Sequence, residues 1–184
     1  MGLQACVFST ALGWLGLVGQ DRCVRRLVIG EHSSEDAWAS LRRHFGDESL
    51  AESNWYPALR KRLSEFAAGK LVSFDDISVW AEPRTEFQTR VLVATRSIGF
   101  GETVSYGELA ARVGSPRAAR AVGSVMSSNS VPIIIPCHRV VGSGGALGGF
   151  SAPQGISLKQ RLLEMEARTL VVTPFMGANA RSTP

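Results

Sequence analysis

The sequence predicts an α+β protein: a small α+β unit followed by a mainly helical half. Three observations carry that reading. Residues 4–30 read as short strands punctuated by Gly13, Gly16 and Gly19. From Ser33 onward, apolar residues recur at helical spacing behind recognisable caps. The composition then shifts near Glu82-Pro83. Residues 1–82 carry 9 Lys/Arg against 11 Asp/Glu, whereas residues 83–184 carry 11 against 5 and no Asp. The expected organisation is a support domain over 1–82, a second domain over 83–172 and a loose tail over 173–184.

The elements follow in order. Cys23 to Ile29 alternates loosely, as a strand does. Ser33 caps a helix with Asp36 three residues on, and Trp38, Leu41 and Phe45 share one face. Leu59, Leu63 and Phe66 mark a second helix, stopped by Gly69. Ile77-Ser78-Val79-Trp80 reads as a strand. In the second half, Thr85 starts a helix that turns Phe87, Val91 and Ala94 inward, and Gly99-Phe100-Gly101 is a turn. Ser105 and Glu108 form a capping box ahead of Leu109 and Val113, and Gly114 ends that helix. Ser115-Pro116 starts the next, with Pro at the first helical position, running from Arg117 to about Ser127 over Ala118, Val122 and Val125. Two short helices across a Gly-Ser turn are a helix-turn-helix candidate. The run Ile133-Ile134-Ile135 reads as a short buried strand carrying Cys137 at its end. A last helix, from about 156 to 167, buries Leu158, Leu162 and Met165.

Composition narrows the class. Apolar and charged fractions of 45% and 20% exclude wholesale disorder. The net charge of +4 divides into about −2 before residue 83 and +6 after it, so the second half is expected to meet a polyanion. Three cysteines imply no secreted disulfide framework. The N-terminal apolar stretch is broken by Gly, Ser and Gln and resembles neither a signal peptide nor a membrane span. The expectation is a cytoplasmic protein without membrane contact, associated with the nucleoid if its source is bacterial.

Cys137 is the residue with chemistry in view. An unpaired cysteine is most often a core residue. Here Pro136 weakens a strand ladder, and His138, Arg139 and a glycine-rich stretch continue the chain. Nucleophile and core residue therefore stand level on physical grounds alone. A reactive cysteine must become a thiolate. Adjacent strand residues face opposite sides, so His138 would act through a bridging water, oriented by Glu164 or Glu166. A papain-like protease does not fit: the other histidines, His32 and His44, lie in the first half with no matching signature. Cys6, Cys23, His32 and His44 match no compact zinc spacing, so no metal is expected.

The segment from Val104 to Glu166 resembles the O6-alkylguanine-DNA alkyltransferases, or methylated-DNA–protein-cysteine methyltransferases. The matching pieces are VSYGELA, RAVG at 120–123, Asn129, VPIIIPCHRVVG, GALGGF and Lys159 with LLEME, in the family's order. The resemblance implies a winged-helix-like DNA-binding second domain. It implies direct reversal of O6-alkylguanine in double-stranded DNA, with O4-alkylthymine as a second substrate. The alkyl group moves irreversibly to Cys137, with no cofactor, and the protein acts as a monomer. His138 takes the thiol proton through water and Glu166 holds His138, leaving Glu164 on the surface. Tyr106 hydrogen-bonds the flipped base, and Asn129 braces the turn before Cys137. Arg120 enters the base stack, with Ala121 and Gly123 beside it on the DNA face. Met126, Val140, Phe150 and Ser151 line the base pocket.

Three departures stand out. Ser130 follows Asn129 where the family has Pro, Phe150 replaces a frequent Tyr, and the stretch 151–155 is longer than common versions. They predict a less rigid turn, one missing pocket hydroxyl and an altered pocket size. Two rivals define the alternatives. An alkyltransferase-like lesion binder lacks the cysteine that this chain has. A regulator with a redox-sensing Cys137 would prefer an operator sequence over a lesion.

Overall fold

The computed structural model describes residues 2–46, 50–80 and 82–172. The expected tail at 173–184 lies outside the described residues.

The chain opens with three antiparallel strands, β1 (Leu3–Thr10), β2 (Gly13–Gln20) and β3 (Cys23–Glu31). The β2–β3 hairpin turns on Asp21 and Arg22, both at positive φ (50° and 60°), the backbone that a tight two-residue hairpin requires. Helix α1 (Ser34–Phe45) follows, capped as the sequence predicts: Ser33 Oγ accepts the Asp36 N–H at 3.0 Å. A short strand β4 (Leu50–Glu52) runs parallel to β1, and helix α2 (Pro57–Ala67) leads to β5 (Ser78–Val79), parallel to β3. The sheet order is β4-β1-β2-β3-β5.

Alternation along the strands decides which helix covers which face. Ala5 and Val18 point to one side and pack with Leu41 of α1, with Trp38 and Phe45 around them. Cys6 and Leu17 point to the other side and join Leu59, Leu63 and Phe66 of α2.

The second half contains α3 (Glu86–Arg96), β6 (Val104–Ser105), α4 (Tyr106–Arg112), α5 (Ala119–Ser127), β7 (Val140–Val141) and α6 (Gly155–Val172). Strands β6 and β7 pair in parallel. Both halves feed one continuous apolar core. Phe66 marks the junction: it is fully buried, edge-on to Phe74 at 5.9 Å and to Phe100 at 6.1 Å. Truncating such a ring costs about 3–5 kcal/mol. Polar ties also cross the junction: the Leu27 N–H donates to the Ser130 carbonyl at 2.9 Å, and Gln154 Nε2 donates to the Gly30 carbonyl at 2.8 Å.

The α+β class holds, and four local expectations change. Helix α5 starts at Ala119, because the Ala118 N–H closes a turn onto the Ser115 carbonyl at 2.9 Å with Pro116 inside it. The fixed φ of Pro suits a turn's second position as well as a first helical turn, so sequence could not separate them. The strand at 77–80 shrinks to two residues, and α6 runs past 167 to Val172. The expected strand carrying Cys137 is absent. Cys137 sits instead on a single 3-10 turn, Cys137–Arg139, immediately before β7. The isoleucine run is buried, but Ile133 takes a left-handed φ of 71°. Pro132 and Pro136 remove ladder donors on both sides, so the segment folds on itself. A short apolar run does not distinguish a buried strand from a buried turn.

Candidate active site

The turn before Cys137 is held by one side chain. Asn129 Oδ1 accepts the Val131 N–H at 3.1 Å, and its Nδ2 donates to the Ile135 carbonyl at 2.8 Å. That carbonyl also accepts the Cys137 N–H at 2.8 Å, across Pro136 at φ −79° and ψ 63°, an inverse γ-turn. Ser130 stands where a proline was expected, yet its carbonyl is fixed by β3 of the first half. The sheet thus ties the position where the ring is missing through a backbone hydrogen bond.

Behind the cysteine lies a buried charged group. His138 Nε2 and Glu166 Oε1 are 2.9 Å apart, both side chains fully buried. Arg139 donates to the same carboxylate, from Nε to Oε2 at 3.0 Å and from Nη2 to Oε1 at 2.8 Å, and from Nη1 to the Ile98 carbonyl at 2.6 Å. The Gly101 N–H adds a third donor residue, at 2.9 Å from Oε2. Burial alone would raise the Glu166 pKa; the hydrogen bonds from His138 and Arg139 outweigh it and hold it down to about 2. Burial, helped by the Arg139 and Lys159 charges, lowers the His138 pKa against the pull of Glu166, which favours the neutral imidazole. With Nε2–H donating to the carboxylate, Nδ1 is an acceptor, and among the described residues it has no partner.

The other wall is built by α4 and α6. The Ser105–Glu108 capping box is present in both directions, at 3.1 and 2.7 Å, and it starts α4 with Tyr106 at the first position. Lys159, on α6, is buried; its Nζ donates to the Val140 carbonyl at 2.6 Å and lies 3.5 Å from the Tyr106 hydroxyl. Gly148 passes so close to Tyr106 that a Cβ there would lie 2.5 Å from the hydroxyl oxygen. Burial raises the Cys137 pKa, while the Asn129 side chain and the Lys159 charge pull it down. Burial also raises the Tyr106 pKa, with Cys137 adding to it.

Cys137 opens on a cleft of about 630 Å³ that Tyr106, Met126, Asn129, Phe150 and Ser151 also line. A shallower cleft adjoins it through Tyr106, Met126, Phe150 and Ser151 and reaches Arg120 and Gly123 on α5. Arg120 and Ala121 are exposed. Val140 lines neither cleft: it is fully buried, and its carbonyl is taken by Lys159. Glu164 is half-exposed and bonds Gln160 at 2.9 Å. Sequence reasoning gave Arg139 and Lys159 no role. The signal was available, since a cation embedded in an apolar segment requires a buried partner. Among the described residues, no group of three or more His, Cys, Asp or Glu side chains converges to hold a metal.

A cysteine lining a cleft, followed in the chain by an imidazole that a carboxylate holds, is an arrangement in which a thiol can serve as a nucleophile. The family model for the 6-O-methylguanine DNA methyltransferase DNA-binding domain matches residues 86–168. A methylated-DNA–protein-cysteine methyltransferase of Methanosarcina acetivorans is 34% identical over 87% of this chain and 96% of its own length. One from Mycobacterium tuberculosis is 47% identical over 86% of this chain and 88% of its own length. The crystal structure of M. tuberculosis OGT in complex with DNA superposes with a TM-score of 0.75 at 34% identity, covering 90% of this chain and 94% of that one. The chain belongs to the methylated-DNA–protein-cysteine methyltransferase family.

Proposed function

We propose that this protein repairs O6-alkylguanine in double-stranded DNA by moving the alkyl group onto Cys137. The observation that carries the reading is His138, fixed by Glu166 on one nitrogen and unpartnered on the other among the described residues, next to a thiol that opens on a cleft with room for a base. Burial keeps that thiol protonated at rest, so the proton must leave as the reaction proceeds. It passes to His138 Nδ1 through a water. Sγ attacks the alkyl carbon, the S–C bond forms and the C–O6 bond breaks. The electron pair leaves with guanine, which takes up a proton. Tyr106 hydrogen-bonds the base and eases that departure. Lys159 holds the Val140 carbonyl and the Tyr106 hydroxyl in place.

Chemistry on a base edge inside a duplex requires extrusion of the nucleotide. Arg120 is exposed on α5, at the edge of the cleft that leads to Cys137, and it fills the vacated stack, with Ala121 and Gly123 against the backbone. Met126, Phe150 and Ser151 wall the base. O4-alkylthymine offers the same leaving-group chemistry and is the second substrate. In this reading residues 83–172 carry the reaction and residues 1–82 support it. The protein works as a monomer, with no cofactor, in the cytoplasm. Its described cysteines are all free thiols, and among the described residues no helix is long and apolar enough to cross a membrane.

The test is intact-mass spectrometry after incubation with excess duplex oligonucleotide carrying O6-methylguanine. The expected result is one added methylene, located by peptide mapping at Cys137. An unchanged mass would overturn the reading. Arg120→Ala should slow repair of duplex by about 100-fold, equivalent to the few kcal/mol of base extrusion, and leave transfer from a free base nearly intact. Equal losses on both substrates would remove the finger role.

A further inference from the structure

The cleft does not end at the sulfur. Past Pro132 and the 151–153 wall it continues to the first half of the chain, where Arg26 and Glu31 of β3 and Ser40, Arg43 and His44 of α1 line it. Its volume suits a drug-sized ligand and exceeds what one nucleobase and a methyl group fill. The two ends are distinguishable. Tyr106, Met126 and Phe150 are shared with the cleft that reaches Arg120, so the base enters from that side. The β3–α1 end is the opposite one.

The far end is cationic, and its cations are unengaged. Arg26 is half-buried on β3 and makes no side-chain hydrogen bond or ion pair among the described residues; Glu82 acts on it only at a distance. Arg43 is exposed on the last turn of α1 and likewise makes none. The carboxylate in the lining, Glu31, is buried and accepts the Ser40 hydroxyl at 2.7 Å. His44 Nδ1–H donates to the Ser40 carbonyl at 2.9 Å. The longer 151–155 stretch is tied to β3 through Gln154 and closes one side of this compartment.

We propose that the β3–α1 end of the cleft selects the O6 substituent by charge: an extended alkyl group ending in an anion, such as a carboxylate, is preferred over a neutral or cationic one. The inference rests on the transfer reading above. The reacting carbon must sit at Cys137 Sγ with the base on the Tyr106 side. The remainder of a long substituent is therefore directed past the sulfur, towards Arg26 and Arg43. The bond changes are those already given: the benzylic carbon passes from O6 to Sγ, and guanine leaves with a proton.

The experiment uses the full chain and free nucleobases, so that no DNA phosphate is present. Rates of Cys137 labelling are compared for O6-benzylguanine and its 4-carboxy and 4-aminomethyl derivatives. The carboxylate should react about fivefold faster than the amine, with the neutral parent between them and the spread narrowing as salt is raised. In Arg43→Gln, and further in Arg26→Gln/Arg43→Gln, the carboxy-to-aminomethyl ratio should fall towards one. Equal rates for the three bases, or a ratio unmoved by both variants, would overturn the proposal while leaving transfer itself standing. A charge preference seen only with duplex substrates would assign these arginines to phosphate and also overturn it. No labelling by any free base while duplex O6-methylguanine is still repaired would overturn this inference alone; no transfer from the duplex either would sink the transfer reading with it.

Discussion

Cys6 and Cys137 are both buried thiols, at 4% and 6% exposure, and they sit in contrasting surroundings. Cys6 lies in the regular strand β1, paired opposite Leu17 and packed under α2. Its thiol donates to the Trp55 carbonyl at 3.6 Å, and burial raises its pKa to about 11, with only Arg60 opposing. Cys137 lies on an irregular turn where burial also raises the pKa, but the Asn129 amide, the Lys159 charge and nearby backbone N–H groups counter it. Enclosure therefore does not separate an inert sulfur from a usable one. Polar groups and a positive charge that lower the thiol pKa, together with an opening to a cleft, do.

The comparison breaks if exchanging the two sulfurs gives the same result. Cys137→Ala should abolish transfer completely while DNA binding persists in a gel-shift assay. Glu166→Gln comes next, because it leaves the Arg139 charge buried without its counter-ion. The expected loss is about 3–5 kcal/mol in urea unfolding. The sign with pH follows from the depressed carboxyl. Its stabilisation is complete above the unfolded value of about 4.3 and is lost as pH falls towards the folded value of about 2. Urea midpoints measured down this range should fall in the parent and change less in the variant.

Asn129→Ala sharpens the contrast by making Cys137 resemble Cys6. Removing the amide that braces the turn before Cys137 and lowers its thiol pKa should slow transfer at neutral pH by about tenfold, with the rate–pH profile displaced to higher pH. The smallest effect belongs to Cys6→Ala. Transfer should stay within about twofold of the parent, and stability should drop by about 1–2 kcal/mol. A large loss of transfer there would show that the sheet core shapes the reaction directly.

The legible parts of this molecule were those with local causes. Ser33, Thr85 and Ser105 cap helices because their hydroxyls satisfy N–H groups three residues on, which is a spacing visible in the chain. Glu166, and not Glu164, meets His138, as the family spacing implied. What stayed hidden depends on contacts distant in sequence. Strand β4 is three residues long and exists only because β1 offers an edge. Arg139 was quoted within its motif, but its role depends on Glu166 lying 27 residues away. The turn at Ile133 was read as a strand because burial, not alternation, sets its composition. The extension of the cleft to Arg26 and Arg43 needed the packing of the two halves.

The core shared between the halves has a consequence for inheritance. Phe66 lies edge-on to Phe100, and Leu63 shares one core with Leu162, both supplied late in the chain. A gene cut near codon 83 would deliver two pieces, each with a raw greasy face, prone to clump rather than to work. Evolution can redraw the loops of such a molecule, but recombination must carry both ends forward as a set.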